Sequence, residues 1–331
     1  MTSHASAPVR LDFAGGWTDV PPFSAREGGI VVSAAIGLRA HAEVVRGGDD
    51  IALVSEDLGE AVTLRPGDST GTGSDLPLLR AAVRVLPVGG CRVTTRSDAP
   101  PGSGLGSSGA LDVALVAALS HARGERPDPE ATAALAWRVE AVEAGHPGGK
   151  QDQYTAALGG FQLLTFEDPD VGGRRLPLDP AFTTELADAL VLCYTGVSRF
   201  SSATIARVMA AYERGDEAVV GALRGLRDTA LAMGEALEAE DLAAVGALLA
   251  RNWAYQCRLD AGMCTPGMAE IEAVARAAGA IGGKAAGSGA GGSMFFLAPG
   301  RRDEVARAVV GAGARLLPVE WSSDGVRYGD G

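Results

Sequence analysis

Residues 100–115 read PPGSGLGSSGALDVAL: a proline pair, a run of glycines and serines, then an apolar stretch. Glycine lets the backbone wrap closely around an anion with its amide hydrogens turned inward. The apolar stretch predicts a helix from about residue 107 to 120, whose N-terminus adds positive potential at the same place. Ser103, Ser107 and Ser108 offer hydroxyls to phosphate oxygens or to a magnesium ion. The run also satisfies GxGxxG, as does GSGAGG at residues 287–292. A dinucleotide fold wants a buried strand leading directly into its glycines, whereas Asp98-Ala99-Pro100-Pro101 intervenes here and proline cannot continue a central ladder. The nucleotide-binding pattern GxxxxGK[ST] is absent. Taken alone, the run fits a phosphate-gripping loop or a tight turn capped by serine.

Outward from the loop, alternating and β-branched runs predict strands at residues 9–13, 30–36, 40–45, 51–55, 61–64 and 92–95, with a short helix at 76–85. After the loop helix, a polar connection at 125–130 leads to an amphipathic helix over 131–144. Glu140 and Glu143 share one face of it at i,i+3, and Gly145 ends it. Acidic, glycine and proline residues cluster at 168–180, which sets a domain boundary there and divides the chain into 1–170 and 171–331. Beyond a strand at 190–194 the pattern is mainly helical (203–213, 217–237, 241–259, 267–278). The second glycine-rich run then leads to a strand at 293–297, a helix at 303–312 and a strand at 314–319. Both halves read as α+β.

The 331 residues are 47% apolar, enough for a sizeable core. No apolar run reaches the roughly 18–20 residues of a membrane helix, and MTSHASAPVR lacks the features of a signal peptide. A cytoplasmic protein with no membrane partner is expected. The net charge of −12 argues against a nucleic-acid partner, though a nucleotide needs only a local cluster of donors. Cys91, Cys193, Cys257 and Cys264 form no CxxC pair and read as free thiols. Of 29 basic residues only two are lysines, Lys150 and Lys284, each after a Gly-Gly pair. Such a bias marks both as positions for chemistry or close packing, or leaves two lysines by chance.

Three segments together resemble the GHMP kinases, the superfamily of galactokinase, homoserine kinase and mevalonate kinase. PPGSGLGSSGALDVAL looks like their ATP-binding motif. APVRLDFAGGWTDVPPF (residues 7–23) is similar to their N-terminal substrate motif, and GGKAAGSGAGGSMFFL (282–297) to their C-terminal glycine-rich motif. The resemblance implies an N-terminal domain of the ribosomal-protein S5 type, an α+β C-terminal domain and an active site between them. It implies ATP contacts from Pro101, Gly102, Ser103, Gly104, Leu105, Gly106, Ser107 and Ser108.

Within the superfamily, GGKQDQYTAALGGF (148–161), YTGVSR (194–199) and NWAYQCRLDAGMCTP (252–266) resemble heptose 7-phosphate kinase, and GGWTDVPP (15–22) looks closer to L-fucokinase. Both relatives imply transfer of the ATP γ-phosphate to an anomeric hydroxyl, of a heptose 7-phosphate or of fucose or another free aldose. Asp152 then falls where the family places the aspartate beside the reacting hydroxyl, and Arg10 at its basic position. Glu140 falls near the magnesium-ligand glutamate and would share Mg²⁺ with Ser108, with Glu143 as a rival. Substrate contacts are implied for Gly16, Trp17, Thr18, Asp19, Lys150, Gln151, Arg199 and Gly289. Trp17 would stack on a sugar ring, Asp19 grip its hydroxyls, and Arg199 or Lys150 hold a substrate phosphate. Partners are ATP and a sugar or sugar phosphate, in a monomer or homodimer. A non-catalytic sugar-binding relative and a dinucleotide-dependent oxidoreductase are the readings from other classes.

Overall fold

The computed structural model describes residues 2–66, 68, 75–197 and 202–330. The chain begins with β1 (Thr2–Ala14), α1 (Phe23–Glu27), β2 (Gly29–Arg46), β3 (Ile51–Ser55), β4 (Glu60–Leu64), α2 (Pro77–Val85) and β5 (Cys91–Ser97). It continues with α3 (Ser107–Ala122), α4 (Pro129–Trp137), a π-helical segment (Arg138–Glu143), α5 (Gln151–Leu158), β6 (Phe161–Glu167), β7 (Asp170–Arg175) and α6 (Pro180–Ala189). Then come β8 (Leu190–Tyr194), α7 (Ser202–Glu213), α8 (Glu217–Glu238), α9 (Leu242–Gln256) and α10 (Pro266–Ala277). The last elements are β9 (Gly282–Ala285), β10 (Ser293–Leu297), α11 (Arg302–Gly311), β11 (Arg315–Leu317) and β12 (Arg327–Asp330).

Two sheets result, and the α+β class holds. The first runs β12-β1-β2-β5-β3-β4, antiparallel except for the β3–β5 pair, with β6 and β7 added beside the N-terminal half of β2. The second is antiparallel, β11-β8-β10-β9. The two strands expected at 30–36 and 40–45 are one continuous β2, which pairs with β6 through its first half and with β5 through its second. A register shift in the β1–β2 ladder between Pro8 and Val9 accompanies the change of partner, and a second lies between Asp12 and Ala14 within the stretch that pairs with β6. The division at residue 170 does not follow the sheets: β7 lies past it, and β12 returns from the C-terminus to pair with β1.

Helix α3 has no polar face, and from Gly109 to Ala122 only Leu111 is less than buried. A helix apolar all round belongs inside, and this one packs across β1 and β2 as the centre of the larger core. Its depth holds its N-terminus rigidly. Several other helices start where the sequence signals it: Asp128, Asp179 and Thr265 cap α4, α6 and α10, each followed by proline at the first helical position. A second core lies between the second sheet and α7–α11, and residues from the start of the chain, Trp17, Val20 and Phe23, belong to it. The four cysteines are free. Among the described residues, no helix is long and apolar enough to cross a membrane.

Candidate active site

The 100–106 segment turns on three left-handed glycines, Gly102, Gly104 and Gly106, the last immediately before α3. Leu105 between them is fully buried, so it offers only backbone to a ligand. Ser103 is buried with its hydroxyl 3.4 Å from that of Ser107, Ser108 is exposed, and Pro101 stands at the rim.

The second glycine run owes its composition to packing against the first. A Cβ at Gly287 would lie 2.4 Å from the Gly104 carbonyl oxygen, and one at Gly292 2.8 Å from that of Ser103. The Ser293 amide donates to the Ser103 carbonyl at 2.7 Å. Gly289, at φ +81°, is pressed against Met263. The two GxGxxG matches are therefore two halves of one backbone-to-backbone contact.

Arg10, on β1 and 5% exposed, is the hub. Its Nη1 donates to the Gly104 carbonyl at 2.7 Å and to the Ala286 carbonyl at 2.8 Å, so one side chain clips both glycine runs together. Its Nε donates to Asp152 Oδ1 at 2.8 Å, and Nη2 stands 2.8 Å from the same oxygen. Asp152 lies in the first turn of α5, where the helix end favours a carboxylate. It packs tightly on α3: a Cβ at Gly109 would come within 2.6 Å of the Asp152 Cβ. Arg10, Asp152 and the glycine loop, 142 residues apart at their extremes, thus meet at one point.

Glu140 and Glu143 lie in the π-helical segment, whose wider turn separates residues that a regular α-helix would stack. Glu140 turns inward: Ser108 Oγ donates to its Oε1 at 2.5 Å and Gln153 Nε2 to its Oε2 at 2.5 Å. Glu143 turns outward and pairs with Arg84 at 3.0 Å and Arg138 at 3.4 Å. Burial of its carboxyl group and the nearby Asp152 charge push Glu140 up to about 7, against the hydrogen bonds it receives. A half-buried carboxylate beside a serine hydroxyl is an oxygen donor pair that fits Mg²⁺.

Several expected substrate contacts have structural employment instead. Trp17 is 5% exposed and packed in the second core, so its ring does not lie open for a sugar. Its backbone takes φ +83° in the turn closed by the Thr18 amide on the Gly15 carbonyl, a conformation usually left to glycine. Thr18 is fully buried, its hydroxyl bound to the Gly15 and Ile30 carbonyls at 2.7 and 3.0 Å. Gly16 leaves room for the Asp12 carboxylate. Lys150 is not a free cation: its ammonium contacts Asp168 at 2.5 Å and the Pro169 carbonyl at 2.8 Å, above the Trp137 ring. Arg199 lies outside the described residues.

Asp19 accepts from the Gln151 amide at 3.0 Å and from Gln151 Nε2 at 3.1 Å. It thereby satisfies an orphan amide at the start of α5, the turn that carries Asp152. Burial pushes its carboxyl from an ordinary 3.8 up to about 6. A raised carboxylate contributes stability that is present at low pH and lost as pH rises through the folded value. Asp19→Asn should therefore flatten the fall in stability between about pH 4 and 6. Urea unfolding of both proteins across that range measures it, and parallel curves would refute the assignment.

Asp12, Asn252 and Gln256 were not singled out from the sequence, and Lys284 was marked there only for chemistry or close packing. Asp12 and Lys284 form a fully buried ion pair, the ammonium 3.1 Å from Asp12 Oδ2 and 2.6 Å from the Asp12 carbonyl. Asn252 Oδ1 accepts from the Gly15 amide at 2.9 Å, and Gln256 Nε2 donates to the Gly287 carbonyl at 2.7 Å. Two carboxamides one turn apart in α9 were the available signal.

The pattern described as GHMP kinases N terminal domain matches residues 77–160, and GHMP kinases C terminal matches 233–315. The chain is 28% identical over 308 residues to D-glycero-alpha-D-manno-heptose 7-phosphate kinase of Campylobacter jejuni, covering 89% of each. It is 34% identical over 244 residues to mevalonate kinase of Pyrococcus horikoshii, covering 72% of this chain and 68% of that one. A solved structure described as a D-glycero-D-manno-heptose 1-phosphate kinase from Bacteroides thetaiotaomicron superposes with a TM-score of 0.80 at 26% identity, covering 100% of this chain and 99% of that one.

Proposed function

The chain belongs to the GHMP kinase family and is an ATP-dependent phosphotransferase; we propose that its acceptor is the anomeric hydroxyl of D-glycero-D-manno-heptose 7-phosphate, giving the sugar 1,7-bisphosphate. The observation that carries this reading is the Arg10–Asp152 pair set against the glycine loop, taken with the heptose phosphate kinases the chain is similar to.

The chemistry follows from the charges. The loop amides and the α3 N-terminus receive the ATP phosphates. Asp152 accepts the proton of the acceptor hydroxyl or orients its oxygen toward the γ-phosphorus, and Arg10 fixes the position of that carboxylate while balancing charge on the transferring group. Ser108 and Glu140 would hold Mg²⁺, which when bound supplies positive charge to the β- and γ-phosphates. Asp19, its carboxylate already spanned by Gln151, acts on the sugar through the placement of α5 or through a remaining lone pair.

The test is a coupled assay with ATP–Mg²⁺ over free and phosphorylated aldoses and mevalonate, with the product position read by ³¹P and ¹³C NMR. Heptose 7-phosphate phosphorylated at C1 is the expected result. Preference for fucose would move the substrate, and phosphate on a non-anomeric carbon would overturn the position of transfer. Sugar binding without ATP consumption would overturn the catalytic reading.

A further inference from the structure

Asp112 sits in the middle of α3, among residues that are otherwise almost all apolar. It is fully buried, no N–H or hydroxyl group reaches either of its carboxyl oxygens, and its hydrogen-bond partner is the Glu140 carboxyl, a contact two acids make only by sharing a proton. Buried acids are found neutral, hydrogen-bonded, paired or on a cation, and two facing carboxyl groups give up their shared proton when a cation takes its place. One helical turn separates Asp112 from Ser108, which places both on one side of α3. Across from them stands Glu140, bonded to Ser108 at 2.5 Å and near enough to Asp112 that each carboxyl perturbs the other. Among the described residues no lysine or arginine pairs with either acid. Arg10, the nearby cation of the site, is spent on Asp152 and on the Gly104 and Ala286 carbonyls. Two carboxylates and a hydroxyl therefore converge with no positive charge between them.

We propose that Asp112 is the inner carboxylate of a divalent-cation site whose outer members are Ser108 and Glu140. The inference rests on the assignment of the cation to Ser108 and Glu140 given above, and adds to it the group that completes the charge balance. Two acids offset the charge of one Mg²⁺ or Mn²⁺, and the donors are all oxygen, as hard cations require. Asp112 lies deeper than Glu140, so it draws the ion toward the body of α3. Water has no access to Asp112, which makes its charge more effective there than one on the surface.

The probe is Mn²⁺ alone, titrated into the full chain without nucleotide and followed by the electron-paramagnetic signal of the free ion. Asp112→Asn keeps the size and polarity of the side chain but removes its charge. It should weaken Mn²⁺ binding by about tenfold or more, as should Glu140→Gln. In chelator its thermal midpoint should stay close to that of the parent protein, because the amide can still donate to the Glu140 carboxylate. Asp112→Ser, uncharged and smaller, should lose affinity to a similar degree, so the result does not hang on the folding of one variant. Parental Mn²⁺ affinity in both Asp112 variants, with loss in Glu140→Gln, would refute the role of Asp112 and leave the outer pair standing. Parental affinity in Glu140→Gln as well would refute the outer site and this proposal with it.

Discussion

Asp152→Ala should lower turnover at least about a hundredfold, the low end for removal of a general base, with ATP binding retained. The carboxylate contacts Arg10 and stays partly open, its side chain 28% exposed against 6% for Arg10. The Arg10 guanidinium keeps its bonds to the Gly104 and Ala286 carbonyls when Asp152 is removed, so the two glycine runs stay clipped together. The loss therefore falls on chemistry and not on the loop. Asp152→Asn separates the two roles left open for the carboxylate: an amide can orient an oxygen but cannot accept its proton. If Asp152→Asn keeps most of the activity that Asp152→Ala loses, orientation is the larger part. Near-full turnover in Asp152→Ala, measured with saturating ATP–Mg²⁺, would remove the mechanism.

Lys284→Met should destabilise the protein by about 3–5 kcal/mol, the usual cost of leaving one member of a buried ion pair uncompensated. Lys284 has no exposed surface and Asp12 almost none, and the second Asp12 oxygen has no partner of its own. Burial lowers the Lys284 ammonium below its ordinary value, and the Asp12 carboxylate opposes that shift. The pair joins β9 of the second sheet to β1 of the first, and Asp12 lies two residues from Arg10 on the same face of β1. Lys284→Met with Asp12→Leu should recover much of the lost stability, since it removes the stranded charge together with its cause. Urea unfolding of the single and double variants measures both. A double variant as unstable as the single would mean that the lysine stem's packing, not the charge, carries the effect.

The resemblance stated from three motifs reached the family, because those motifs are built from residue types whose local behaviour is strong. Glycines at 102, 104 and 106 take left-handed backbone conformations, Asp-Pro and Thr-Pro start helices, and an all-apolar α3 can only be buried. Roles that depend on what lies opposite a side chain were not legible. Trp17 reads as an open stacking platform until the second core is seen to close over it. Lys150 reads as a phosphate grip until Asp168 and Pro169 are found on its ammonium. Glu140 and Glu143 look equivalent at i,i+3 until the π-helical turn sends one inward and the other to Arg84.

The loop at 100–115 illustrates the division. By itself the sequence determined that this stretch is a glycine turn feeding a buried helix, because backbone freedom and apolar periodicity are local properties of the chain. Only the tertiary structure decided that Arg10 from β1, Asp152 from α5 and the 286–292 run would converge on it, and that Asp112 would face Glu140 with no cation between. Those pairings join residues far apart in the chain, and their energetics depend on burial and on the identity of the opposite group. Neither is encoded at any single position.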